Sequence, residues 1–123
     1  MTAWGEIEIL EMIPLFGAFC TLALGVSGLI APLKVASYVG IIPEGMRGLS
    51  EVRATYGGIF IGLGVACFLL QQPEVYVAVG LAWLLAAVSR TISIFLDRAF
   101  SGKNVAGIII ETSIGLLLVV GML

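Results

Sequence analysis

Histidine is absent from this chain of 123 residues, and charge is scarce, with Asp, Glu, Lys and Arg together making up 11% of it. Without His, His-ligated haem is excluded and a zinc or di-iron centre loses its commonest ligand. A soluble domain carries about 25% charged residues, so a chain that is 60% hydrophobic cannot cover its core with so few. No Lys or Arg precedes Lys34, and the opening "MTAWGEIEILEM" holds three glutamates instead. It therefore lacks the positive region of a secretory signal, and the first apolar block is expected to remain as a span. Cysteine is limited to Cys20 and Cys67, each inside an apolar block. That placement suits small buried hydrophobes and argues against a disulfide framework.

What the chain does have is long apolar blocks, with a mean hydropathy of +1.16. Blocks of 17–25 apolar residues cross ~30 Å of hydrocarbon as helices. Four qualify: about Met12 to Leu33, bracketed by Pro14 and Pro32; Ser50 to Gln71, with Ser50 as N-cap and "QQP" as the break; Val75 to Leu96; and Asn104 to the C-terminus, after the turn-like "SGK". The expected fold is all-α, an integral membrane four-helix bundle, with residues 1–123 as one membrane domain. The only long connection, "PLKVASYVGIIPEGMRGL", places Val35, Tyr38, Val39 and Ile42 at i, i+3, i+4 and i+7. This suits either a short helix lying in the membrane interface or an ordered loop.

Lys34, Arg47, Arg53, Arg90, Arg98 and Lys103 all fall on or near one face, whereas Glu6, Glu8, Glu11 and Glu74 occupy the other. By the positive-inside rule the basic loops are cytoplasmic and both termini lie outside, which in a bacterial inner membrane is the periplasm. Small residues recur four or eight apart: Gly17, Thr21 and Gly25; Gly58 and Gly62; Gly107 and Gly115. Such stripes let helix backbones approach closely in lipid. They fit packing within the bundle, with a dimer face as the alternative.

One carboxylate breaks the last apolar block. Glu111 sits in "NVAGIIIETSIGLLLVVGML", roughly 10 Å into the hydrocarbon at ~1.5 Å per residue, and Arg90 on the antiparallel third span lies at about 9 Å. A short Glu side chain cannot easily snorkel to the interface from that depth, so it must be paired, solvated or protonated. Arg90 is the expected partner and Arg53 the second candidate. Glu51, Arg53 and Tyr56 open the second span in the same leaflet, and Arg90, Ser93 and Asp97 form one stripe of the third. Each has an ordinary use: Glu51 at a helix N-terminus, Arg53 on headgroups, Asp97 at the membrane edge, and Arg90 with Glu111 as a pair fixing helix order. The other use is a site for a ligand, because intramembrane ionisable groups are functional candidates.

No Ser/His or Cys/His pair, phosphate-cradling glycine loop or metal cluster occurs in the sequence, so neither enzyme chemistry nor a cofactor is expected. The basic residues are scattered, which argues against a nucleic-acid partner. Membrane lipids are the expected partners, and a homo-oligomer or a membrane-complex partner stays open.

"SEVRATYGG", "SRTISIFLD" and "ETSIG" resemble the markers of a bacterial family of small four-span membrane proteins catalogued as a domain of unknown function. The resemblance covers nearly the whole chain. Some similar proteins are labelled phage-infection proteins, which implies an inner-membrane host factor but assigns no residue. The leading expectation is a non-enzymatic membrane protein with a polar pocket in its cytoplasmic leaflet, for a lipid headgroup, small solute or partner. A small proton-coupled transporter is the alternative. Small multidrug exporters also have four spans, but they carry their carboxylate in the first span, which is uncharged here. An accessory subunit of a membrane complex is a third reading.

Overall fold

Apolar blocks become helices because lipid offers no partner for backbone N–H and C=O groups, and a helix satisfies them within one segment. In the computed structural model, which describes residues 4–122 and the side chains of residues 9–121, five helices follow one another. They are α1 (Trp4–Ile30), α2 (Pro32–Val39), α3 (Gly45–Leu70), α4 (Pro73–Leu96) and α5 (Gly102–Val119), the last ending in a 3₁₀ turn, Val120–Met122. Helices α1, α3, α4 and α5 are long and apolar enough to cross a membrane. A third or less of each span is buried inside the fold, so most of its surface faces outward. Apolar surface of that kind belongs against hydrocarbon, and the chain is a multi-pass membrane protein. The side chains of Glu6 and Glu8 lie outside those described.

Element boundaries depart from expectation in three places. Pro14 does not begin the first span but lies inside α1, which starts at Trp4. Ser50 does not cap the second span: α3 begins at Gly45, and Ser50 is already helical. The fourth span starts at Gly102, because Ser101 is the N-cap and its side-chain oxygen accepts from the Asn104 backbone N–H at 3.1 Å. The long connection forms helix α2, which ends where Gly40 adopts φ 78°. Ile42 therefore never joins the apolar stripe and is 91% exposed.

Helix α3 is not uniform: Arg53–Ile59 is wound as a π-helix between two α-helical stretches, Gly45–Val52 and Phe60–Leu70. Its backbone presses onto α1. A Cβ on Gly28 would collide with the Tyr56 carbonyl oxygen, and one on Gly57 would lie 2.9 Å from the Leu29 nitrogen. Gly25 and Gly64 extend the same seam, with a Cβ at 2.6 Å from the Ile61 nitrogen and 2.8 Å from the Leu22 Cβ respectively. On the other side of the bundle, Gly80 of α4 and Gly115 of α5 meet, each placing a Cβ about 3 Å from the other's carbonyl oxygen. Gly17 makes room for Leu118. These are the close approaches that small residues permit in lipid.

Gly58 and Gly62 take no part: a Cβ on either would meet nothing within 4 Å. Their spacing does put them on one face, but that face looks away from the bundle.

The helices contact in the order α3, α1, α5, α4. A small core of Ala18, Cys67, Val79, Trp83, Ile114 and Leu118 closes the middle. Trp83 reaches across it, its Nε1 donating to Thr21 Oγ1 at 3.0 Å while that hydroxyl donates to the Gly17 carbonyl at 2.9 Å. Helices α3 and α4, though joined by a two-residue turn, touch mainly through the stretch Phe60–Leu70 of α3. The other half splays away.

Candidate functional site

The splay leaves a cleft of about 480 Å³ between α3 and α4. Tyr56, Phe60 and Leu63 form one wall, and Trp83, Ala86, Ser89 and Arg90 form the other. Asn104 and Glu111 of α5 close it on the side of the polar groups. The three rings make an edge-to-face staircase, with Tyr56 and Phe60 at 6.0 Å and Phe60 and Trp83 at 5.1 Å between centroids.

At its polar end Arg90 meets Glu111 side-on. Nε donates to Oε1 and Nη2 to Oε2, both at 2.9 Å. Nη1 donates to Asn104 Oδ1 at 3.0 Å, and Asn104 is itself anchored by its Nδ2, which donates to the Ala99 carbonyl at 2.6 Å. Asn104, Gly107 and Glu111 fall at i, i+3 and i+7, one stripe of α5. Glycine in the middle is what lets the guanidinium lie against the helix, since a Cβ there would sit 2.9 Å from Nε. The pair is well screened from solvent, the Glu111 side chain being 11% exposed and that of Arg90 28%. A bidentate, planar arrangement of this kind is the strongest form of charged hydrogen bond, and it offsets the desolvation of two ions.

Not all of the expected cluster assembles. Ser93 lines the cleft, but its hydroxyl donates to Asp97 Oδ2 at 2.7 Å, and Asp97 is exposed at the helix end. Tyr56 is half-buried on the cleft wall. Glu51 is exposed. Arg53 is not a partner of Glu111. It is exposed, and its Nη1 donates to the Leu29 carbonyl. Helix α1 ends at Ile30 with no basic residue in its last turn, so its final carbonyls need outside donors, and Arg53 supplies one. The polar groups that meet at this end of the cleft thus come from α4 and α5, with Tyr56 alone from α3.

Sequence reasoning missed Asn104 as a third member, and missed the aromatic wall. Its signal was there: Asn104 lies seven residues before Glu111 on the same stripe. A second groove, about 330 Å³ between α4 and α5, is lined by apolar groups and two threonines and faces outward.

These features sit within a recognised domain. The chain belongs to the family described as a domain of unknown function, DUF4345. The match runs over residues 9–122 and so takes in all four spans, the cleft and the Arg90–Glu111 pair. No curated protein and no solved structure matches the chain.

Proposed function

We propose that this DUF4345 protein is a non-enzymatic binding protein that holds the polar end of an amphiphile within the membrane. One observation carries the reading. The cleft has aromatic and aliphatic walls, lies between two splayed spans, and ends at a hydrogen-bonding cluster that is already charge-balanced. Ligand sites are concave and mostly apolar, with a few placed polar groups, and commonly measure about 300–1,000 Å³. A free solute would need a route from water. A membrane-dissolved molecule enters laterally, tail outward, without leaving lipid.

The charge asymmetry supports a cytoplasmic-leaflet position for this polar end, with both termini on the opposite side, which in a bacterial inner membrane is the periplasm. A proton-coupled carrier is less well supported, because Glu111 is held by both oxygens in an ion pair rather than left to exchange a proton. Dependence of phage on the protein, which the family resemblance implies, would be a use made of it by others.

Ala86 lies half-buried on the α4 wall, so Ala86→Trp should fill the cleft without touching the pair. Native mass spectrometry of chain released from lipid nanodiscs should find a retained amphiphile on the unsubstituted protein and none on the variant. Equal retention, or none on either, would remove the basis for this reading.

A further inference from the structure

The hydrogen-bond inventory of the cleft narrows its ligand. A guanidinium has five N–H groups, and three of Arg90's are taken, by Glu111 twice and Asn104 once. One N–H on Nη1 and one on Nη2 are left, on a side chain that lines the cleft. The two hydroxyls beside them have spent their hydrogens inward, Ser89 Oγ on the Leu85 carbonyl at 2.8 Å and Ser93 Oγ on Asp97. Arg90 therefore presents two free donors at this end of the cleft, the Tyr56 hydroxyl on the opposite wall is a third, and the acceptor that balances the Arg90 charge is 11% exposed.

Charge then decides the class of molecule. An anionic head would bring a negative charge to a site where Glu111 already neutralises Arg90, and would be left uncompensated in a low-dielectric region. A cationic head would meet N–H donors pointing at it. A neutral carbonyl oxygen has two lone pairs for the two N–H groups and needs no counter-charge. Building on the proposed cleft function, we infer that the ligand is an uncharged amphiphile whose buried end carries a carbonyl oxygen accepting from Arg90 Nη1 and Nη2. A quinone ring and the ester of a glycerolipid share this chemistry.

The test uses the full chain in a maltoside detergent. Trp4→Phe leaves Trp83, on the cleft wall, as the only tryptophan. Four probes of similar tail length are titrated against its fluorescence: a decyl-substituted benzoquinone, monodecanoylglycerol, decanoate and decyltrimethylammonium. At least one carbonyl probe should saturate at one molecule per chain and bind at least tenfold more tightly than either charged probe. Which of the two saturates identifies the source. Arg90→Met with Glu111→Leu should weaken that binding about tenfold, although the comparison among probes stands on the unsubstituted chain alone. Equal or tighter binding of decanoate or of the ammonium overturns the inference while leaving an amphiphile cleft in place. If none of the four saturates, as when a partner helix fills the cleft, the proposed function falls with it.

Discussion

Arg90 of α4 and Glu111 of α5 are joined by two parallel hydrogen bonds of 2.9 Å, Nε to Oε1 and Nη2 to Oε2. Removing one partner of a buried pair strands the other charge and typically costs ~3–5 kcal/mol, whereas replacing both with apolar groups is often close to neutral. Arg90→Met and Glu111→Gln should each lower the unfolding midpoint in detergent. Arg90→Met with Glu111→Leu should recover much of the loss. Losses that simply add would mean that the two side chains are not coupled.

Glycine substitutions should sort by what each Cβ meets. Gly58→Ala and Gly62→Ala face open space and should stay within about 0.5 kcal/mol of the parent, as surface changes usually do. Gly28→Ala drives a methyl into the Tyr56 carbonyl and should destabilise by about 1–3 kcal/mol, the usual range for overpacking. Gly107→Ala should also destabilise, but less so when Arg90 is already Met, because the clash is with the Arg90 side chain. Thermal unfolding of the four variants checks this, and equal midpoints for Gly28→Ala and Gly62→Ala would contradict the packing.

Much of this arrangement follows from rigid geometry. A fixed rise per residue and antiparallel neighbours bring Arg90 and Glu111 to one depth, so their meeting was legible in the sequence. Which way a small-residue face points was not. Gly58 and Gly62 share a face by spacing alone, but when nearly every side chain is apolar no pattern separates inside from outside, and Gly57 and Gly64 turned out to hold the seam instead. Arg53 was misassigned because its role depends on where α1 stops, a tertiary matter of an unfilled carbonyl at Leu29. A polar pocket was expected where the charged groups converge, but its position between α3 and α4 was hidden, since a short hairpin argues for helices packed along their length. Helices α3 and α4 diverge because their polar and small faces are turned to other partners, Arg90 to α5 and Gly57 to α1.

Trp83 Nε1 and Thr21 Oγ1 form the one side-chain hydrogen bond between α4 and α1 among the described residues. Thr21→Val keeps the volume but leaves the indole N–H without an acceptor, a loss of about 1–3 kcal/mol. In a Trp4→Phe background the Trp83 emission should shift and the unfolding midpoint fall. Unchanged emission would mean that the indole bonds elsewhere.

Orientation is testable with reporters. Lys34, Arg47, Arg98 and Lys103 are all exposed, in or within a turn of the two segments that join α1 to α3 and α4 to α5. A C-terminal fusion to a reporter active only in the cytoplasm should be silent, and the same reporter inserted between Ile41 and Glu44 should be active. The reverse pattern would place the cleft's polar end in the outer leaflet.

Occupancy of the cleft is the central claim, and site-specific photo-crosslinking in native membranes reaches it directly. Benzoylphenylalanine at Ser89 lines the cleft, and at Ile109, 60% exposed on α5, it faces outward. The Ser89 probe should capture one class of amphiphile, enriched far above its share of the membrane and competed away by excess of the same molecule. The Ile109 probe should capture bulk phospholipid in proportion to its abundance. Identical bulk-lipid adducts at both positions would contradict a selective cleft.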